Sequence, residues 1–144
     1  MTLTYIDSGV LITASRGENA IAEKALTVLS DETRTFASSE FVKLEVLPKA
    51  IYNKQLAEAA FYEVFFNSVT GWATNLNDAI HNAYQIALDY GIAAMDALHV
   101  AAALQKVRSH PSQAQEYGLR SLILSDIVLA EIEKVLSQGW VLKF

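Results

Sequence analysis

The chain has 144 residues, of which 52% are hydrophobic and 19% charged, a composition that excludes intrinsic disorder and predicts one domain over residues 1–144. The net charge of −5 excludes a general electrostatic attraction to nucleic acid or anionic lipid. The lack of cysteine excludes disulfide scaffolds and thiolate zinc sites, and the lack of a signal peptide or a ~20-residue apolar run predicts a cytoplasmic protein.

The first half of the sequence predicts strands that alternate with helices. Strand formers occupy residues 2–6, and residues 18–30 carry a helical stripe. A second strand over residues 34–37 leads to Ser38 and Ser39, either of which could cap a helix that Pro48 should kink or end. Residues 54–69 form the next helix, and residues 72–76 a third strand. The side chains predicted to face the core on the two long helices are Ile21, Ala22, Ala25, Leu26 and Leu29, and then Leu56, Phe61, Val64 and Phe65.

The second half continues the alternation. Asn77 or Asp78 caps a helix that runs to about Tyr90, Gly91 stops it, and another helix covers residues 93–107. A polar loop over residues 109–120 precedes a strand (121–124), a helix (127–137) and a closing strand (139–144). Strands separated by helices of this length imply right-handed crossovers, so we predict an α/β sandwich with a mostly parallel sheet between helices.

Four acidic residues differ from ordinary surface charges. Asp7 and Asp126 each follow a predicted strand, at the edge of a parallel sheet where ligands bind, although each could instead cap the next helix. Asp96 lies among apolar residues and would be a cap only if its helix began at Ala97. Glu45 shares a helical face with bulky apolar residues, and capping explains it poorly.

If these four acids meet at one sheet edge, they need a cation between them. Clustered carboxylates repel one another and raise their own pKa values unless a cation neutralises them. Oxygen-only ligands select Mg²⁺ or Mn²⁺ over zinc. Such ions promote phosphodiester hydrolysis by lowering the pKa of water and by neutralising charge that develops on the phosphate.

Three segments resemble the acidic motifs of the PIN domain family. Residues 5–11 (Tyr-Ile-Asp-Ser-Gly-Val-Leu) are similar to its opening strand and first motif, residues 41–47 to its second, and residues 96–103 (Asp-Ala-Leu-His-Val-Ala-Ala-Ala) to its third. Order and spacing agree over essentially the whole chain, so the resemblance implies a PIN-like three-layer sandwich. Members of this size in prokaryotes are mostly VapC-like toxins of type II toxin–antitoxin pairs.

The resemblance implies a Mg²⁺- or Mn²⁺-dependent ribonuclease, usually a homodimer, that a small antitoxin holds inactive. It makes Asp7, Glu45 and Asp96 catalytic metal ligands, with Ser8 as a polar helper beside the first. The family's fourth motif usually has Thr or Ser, one residue, then Asp. Here Leu124 stands in the hydroxyl position, and Asp126 is still the predicted fourth catalytic metal ligand.

RNA phosphates would need basic residues near the rim of this acidic site. Arg16, Lys43 and Lys49 are candidates, although each taken singly is better explained as an ordinary solvated charge. His99 lies one turn beyond Asp96 and is predicted to be a packed core residue or to support a ligand from behind, rather than to bind metal itself.

Two alternatives to the ribonuclease remain open. The altered fourth motif and the acidic balance also suit a catalytically weak or inactive PIN-like module that docks a protein partner through the acidic groove. A deoxyribonuclease or a structure-specific nuclease would share the site chemistry but not the substrate.

Overall fold

A computed structural model of the chain describes residues 2–109, and this part alternates strands with helices. The predicted elements at 121–124, 127–137 and 139–144, together with Asp126, lie outside the described residues. The described elements are β1 (Thr2–Tyr5), α1 (Ser8–Arg16), α2 (Ala20–Leu29), β2 (Arg34–Ser39), α3 (Glu40–Tyr52), α4 (Leu56–Ser68), β3 (Gly71–Ala73), α5 (Leu76–Tyr90) and α6 (Ala94–Ser109).

The three strands form one parallel sheet in the order β1-β2-β3, as predicted for this part of the chain. Four successive residues of the central strand β2, Phe36 to Ser39, are buried. Because successive strand residues point to opposite faces, both faces of the sheet are covered at β2. α6 packs against β2 and β3, and α3 packs against β2, α4 and α1. This part of the protein is therefore an α/β fold built on a parallel sheet.

Local polar signals set most helix boundaries. Ser39 caps α3, as predicted, because its Oγ accepts from the backbone N–H of Val42. Gly91 ends α5 with φ +67°, a left-handed conformation that favours glycine, which also confirms the prediction. The cap of α5 is Asn75, so the prediction of Asn77 or Asp78 is wrong. The third strand ends at Ala73, three residues earlier than expected, and the next helix begins correspondingly sooner.

Three expectations about helix faces and ends need correction. Pro48 does not end α3, which continues to Tyr52; Leu44 and Pro48 are both exposed, so water can bond the carbonyl that proline leaves free. Leu56 and Val64 of α4 are exposed, since this helix turns its larger aromatic rings towards the core instead. Ile21 and Leu26 of α2 are likewise exposed, while Ala22 and Ala25 are buried as expected.

Aromatic side chains of α4 fill the space beside the central strand. Phe65 contacts Phe36 with ring centroids 5.9 Å apart, and Phe66 contacts Trp72 at the same separation. Such tilted pairs add about 0.5–1.5 kcal/mol to the burial of their area. Within residues 2–109, no helix combines the length and the apolar character that crossing a bilayer would require.

Candidate functional site

Polar side chains gather where β1 and β2 end. The Ile6 N–H donates to the Ala37 carbonyl at 2.9 Å, which holds the two strand ends side by side. Asp7 and Ser8 follow β1 directly, and α3, which carries Glu45, begins directly after Ser39 at the end of β2. The carboxyl ends of parallel strands share one edge, which is where open α/β sheets bind ligands.

Asp7 is buried and caps α1. Its Oδ1 accepts from the backbone N–H of Val10 at 3.2 Å, so the capping alternative is confirmed for this residue. The positive end of the helix dipole and this hydrogen bond compensate part of the loss of hydration that burial imposes on the carboxylate. The cap uses one carboxylate oxygen, and a role for Asp7 as a metal ligand stays a prediction.

Glu45 joins three elements at this edge. Its Oε2 accepts a hydrogen bond from Ser8 Oγ on α1 and lies 2.8 Å from Nε2 of His99 on α6. Its other oxygen, Oε1, accepts no hydrogen bond from the described residues. This explains why a glutamate is found among apolar residues in the sequence. Its carboxylate reaches the sheet edge and contacts two polar partners there.

His99 is 3% exposed, which confirms that it is packed in the core. Its Nδ1 is buried and has no hydrogen-bond partner among the described residues. A buried N–H without an acceptor is more costly than a buried lone pair in the same place, so we assign the tautomer with the proton on Nε2. His99 therefore donates to Glu45 and orients its carboxylate.

Tyr5 is a member of this cluster that the sequence did not reveal. It is fully buried, and its hydroxyl donates to Ser39 Oγ at 2.9 Å. Burial raises the pKa of the Tyr5 hydroxyl above its ordinary range, the nearby Asp7 and Glu45 carboxylates raise it further, and the Ser39 hydrogen bond only partly opposes them. A tyrosine in a strand is typical of a core, so its type and spacing gave no signal of a polar role.

Asp96 lies inside α6 rather than at its cap. The helix begins at Ala94, so the alternative in which Asp96 caps a helix that starts at Ala97 is wrong. A carboxylate in the first turn is favourable to the helix dipole. Asp96 precedes His99 by three positions and therefore lies on the same side of α6.

The described residues supply part of the predicted ligand set. Within residues 2–109, no three histidine, aspartate or glutamate side chains form a group that could hold a metal ion, so Asp96 is not brought into such a group with Asp7 and Glu45. Those two carboxylates do suit a hard divalent cation in chemistry, since Mg²⁺ and Mn²⁺ prefer oxygen donors, and both lie near Tyr5 at one edge. The fourth predicted ligand, Asp126, lies outside the described residues.

The three basic residues predicted to meet RNA have different surroundings. Arg16 forms an ion pair with Glu58 at 2.7 Å, which ties α1 to α4 and occupies its guanidinium. The Nζ atom of Lys43 lies 6.0 Å from the centroid of the Phe66 ring. Lys49 is exposed one helical turn beyond Glu45, which places it on the same side of α3 as the acidic edge.

No protein-family model and no curated protein matches this chain. The resemblance to PIN domains therefore stays a prediction, and the residues at the sheet edge are the structural evidence that bears on function.

Proposed function

We propose that this chain is a divalent-metal-dependent endoribonuclease with a PIN-like sandwich fold, acting in the cytoplasm as the toxin of a type II toxin–antitoxin pair. The observation that carries the proposal is the meeting of Asp7, Ser8 and Glu45 at the carboxyl edge of the parallel sheet. The three acidic motifs that resemble those of PIN domains support it from the sequence.

In this proposal Asp7 and Glu45 hold Mg²⁺ or Mn²⁺, with Asp96 and Asp126 as the other two predicted ligands. The ion, when bound, supplies an acidified water and neutralises charge on the scissile phosphate. Ser8 and His99 both engage Oε2 of Glu45, so they fix the carboxylate plane and keep Oε1 for the cation. The α1 cap fixes Asp7 in the same way through one oxygen.

The RNA would approach along the exposed side of this edge. Lys49 lies on that side, one turn from Glu45, and would contact a phosphate, whereas Arg16 would first have to leave Glu58. An antitoxin would inhibit by placing its own basic side chains against the acidic edge, because Glu45 is the partly exposed carboxylate there.

The proposal is tested by metal binding and RNA cleavage in matched variants. Glu45→Gln keeps an acceptor for Ser8 and His99 but removes the charge, and Glu40→Gln changes an exposed glutamate of the same helix. We expect Mn²⁺ at 100 times its dissociation constant to stabilise the wild type and Glu40→Gln by about 2.7 kcal/mol. Glu45→Gln should show neither this stabilisation nor metal-dependent cleavage of single-stranded RNA.

Three outcomes would contradict this assignment. If Glu45→Gln cleaved RNA as fast as the wild type, the acidic edge would not be the active site. If millimolar Mn²⁺ or Mg²⁺ left the stability of the wild type unchanged, the metal site would be absent. If duplex DNA or flap substrates were cleaved in preference to RNA, the protein would be a nuclease of a different substrate class.

The second candidate is a catalytically weak or inactive module that docks a protein partner. One observation favours it: Glu45 is already occupied by Ser8 and His99, and the described residues form no three-ligand group. A chain that bound no metal and cleaved no nucleic acid, yet bound a basic peptide through Glu45, would establish this function instead.

A further inference from the structure

One tyrosine ring of the described part lies mostly in water. Tyr52, the last residue of α3, is 86% exposed, the largest value among the large hydrophobic side chains of residues 2–109. Two other tyrosines behave differently, since Tyr5 and Tyr62 are fully buried and have hydrogen-bond partners. A single exposed aromatic residue needs no explanation by itself, so its surroundings decide whether it has a function.

Helical spacing places Tyr52 on the same side of α3 as the acidic edge. It follows Glu45 by seven positions, which is two helical turns. Lys49 lies between them, four positions after Glu45 and three before Tyr52. At 1.5 Å per residue, about 10.5 Å separate Glu45 from Tyr52 along the helix axis. These three residues therefore form one row that leads away from the sheet edge, and all three reach solvent.

Lysines lie on both sides of Tyr52 along the chain. Lys49 precedes it on α3, and Lys54 follows it in the turn before α4. Both lysines are exposed, and among residues 2–109 neither forms an ion pair. Arg16, by contrast, is paired with Glu58. The two positive charges beside Tyr52 are therefore available to an anionic ligand.

The acidic residues of α3 and α4 lie away from this pair of lysines. Glu40 is five positions before Glu45 and so lies on another side of α3. On α4, Glu58 is held in its ion pair with α1, and Glu63 lies two turns beyond the start of the helix. The row therefore changes from negative charge at Glu45 to positive charge around Tyr52.

An exposed ring between two lysines is a combination that binds an unpaired base of a nucleic acid strand. The base stacks on the ring, and the lysines contact phosphates on either side. Bases within a duplex are already stacked between their neighbours and do not reach such a ring. The 10.5 Å spacing corresponds to about three nucleotides at about 3.4 Å each, so one strand can contact both the acidic edge and Tyr52.

We propose that Tyr52, with Lys49 and Lys54, is a stacking site for an unpaired base of the RNA substrate, about three nucleotides from the phosphate that is cleaved. This inference rests on the proposed ribonuclease function and adds the form of its substrate, which is single-stranded at this site. Because stacking accepts every base, the site selects unpaired RNA and sets its position but does not read its sequence.

The exposed tyrosine of α5 provides a matched control. Tyr84 is 72% exposed, so its ring is also open to a base. However, α5 contains no lysine or arginine, and Asp78 and Asp89 are exposed on the same helix. Carboxylates repel phosphates, so we expect no strand to bind beside Tyr84.

The first test measures the binding of a fluorescently labelled single-stranded RNA to the full chain, with EDTA present to prevent metal-dependent cleavage. Tyr52→Leu keeps an apolar side chain but removes the aromatic face, so it should raise the dissociation constant about 5- to 150-fold. Tyr52→Phe keeps the ring and should bind as the wild type does, and so should Tyr84→Leu. A 2-aminopurine base moved along the RNA should lose fluorescence at the stacked position with the wild type but not with Tyr52→Leu.

The second test separates the lysines from the ring. Lys49→Ala and Lys54→Ala should each reduce the slope of log Kd against log salt concentration by about 0.7, whereas Lys24→Ala, at an exposed lysine of α2, should leave it unchanged. In the presence of Mn²⁺, Tyr52→Leu should raise the KM of RNA cleavage and leave kcat nearly unchanged, because the ring binds the substrate away from the reacting atoms.

Three results would overturn the stacking site and leave the proposed ribonuclease function intact. The first is a Tyr52→Leu variant that binds RNA as tightly as a wild type that cleaves it. The second is an equal loss of affinity in Tyr52→Phe, which would assign the contact to the hydroxyl. The third is tighter binding of duplex RNA than of single-stranded RNA. A wild type that neither bound nor cleaved RNA would contradict the proposed function and the stacking site together, whatever other partner then covers Tyr52.

Discussion

The sheet edge and the outer side of α3 and α4 break the usual distribution of polar and apolar residues in opposite directions. We call this outer side the α3–α4 face, and its exposed apolar residues are Leu44, Ile51, Tyr52, Leu56 and Val64. At the edge, Asp7 and His99 are buried although they are polar; on the face, Tyr52 and Leu56 are exposed although they are apolar. Both arrangements lower the free energy of unfolding. Burial removes water from polar groups, and apolar groups left in water gain nothing from burial. A single helix, α3, carries parts of both regions, and the comparison teaches that burial depends on available partners as well as on polarity, because Asp7 and His99 are buried beside hydrogen-bond partners.

The largest effect is expected at Asp7, where a catalytic role and a capping role predict different results. Asn caps a helix as well as Asp does, so Asp7→Asn should retain the stability of the fold and yet lower metal-dependent RNA cleavage more than about 100-fold. Asp7→Ala should in addition lose about 1 kcal/mol of unfolding free energy, because the cap is gone. Urea unfolding and cleavage rates of both variants check this pair of expectations.

A second, smaller effect is the free energy of interaction between Glu45 and His99 at the sheet edge. A double-mutant cycle with Glu45→Met and His99→Leu should give a coupling energy of about 1 kcal/mol, since His99 is buried although Glu45 is partly exposed. The exposed Gln85–Asp89 hydrogen bond of α5, treated in the same way, should give only about 0.2–0.5 kcal/mol. Equal couplings at the two places would show that the edge is no more ordered than the surface.

The third effect depends on pH. The folded state keeps Tyr5 protonated above its ordinary pKa, so its contribution to stability is present below about pH 10 and is lost as the pH rises further. Tyr62 acts in the same direction, because burial and its hydrogen bond to Glu58 raise its pKa to about 12. Tyr5→Phe should therefore cost about 1 kcal/mol at pH 8 through the lost hydrogen bond to Ser39.

Measurements above pH 10 separate two effects of Tyr5→Phe, the loss of the hydrogen bond to Ser39 and the loss of a hydroxyl that ionises. Its stability should fall less steeply above pH 10 than that of the wild type, with urea unfolding measured at each pH. Tyr84→Phe, at an exposed tyrosine, is the control and should follow the wild type throughout. A variant curve parallel to the wild-type curve above pH 10 would contradict the assignment of the alkaline loss to Tyr5.

The smallest effect is expected on the α3–α4 face. Leu44→Gln and Val64→Gln should each change the unfolding free energy of the isolated subunit by less than about 0.5 kcal/mol, because both side chains are already in water. Thermal unfolding of both variants and of the wild type is the measurement. Losses of several kcal/mol would mean that the face is covered within the subunit, contrary to the exposure observed.

The sequence predicted the alternation of strands and helices well because short-range signals determine it. Ser39 and Gly91 act through hydrogen bonds and dihedral angles within a few residues, and both did what their chemistry predicted. The orientation of α4 was missed at Leu56 and Val64, since the periodicity was right but several apolar faces competed for the core. Which face wins depends on elements that pack from elsewhere in the chain.

The site could be predicted in part, for the same physical reason. Asp7 and Glu45 stood out because a carboxylate after a strand or among apolar residues needs a local explanation. The contact between His99 and Glu45 joins positions 54 apart, and that of Tyr5 with Ser39 joins positions 34 apart. No spacing rule reaches across such separations, so the structure was needed to find both partners.

The separation of 54 positions between Glu45 and His99 has a consequence for the order in which the protein is made. Ser8 leaves the ribosome before Glu45 and can engage it as soon as β1, β2 and α3 associate, whereas His99 follows much later. The imidazole must then close a long loop to reach the carboxylate, which adds an entropic penalty to this last contact. In a chain released before α6, Glu45 would be held by Ser8 alone, so the complete arrangement of this edge forms only after synthesis has passed α6.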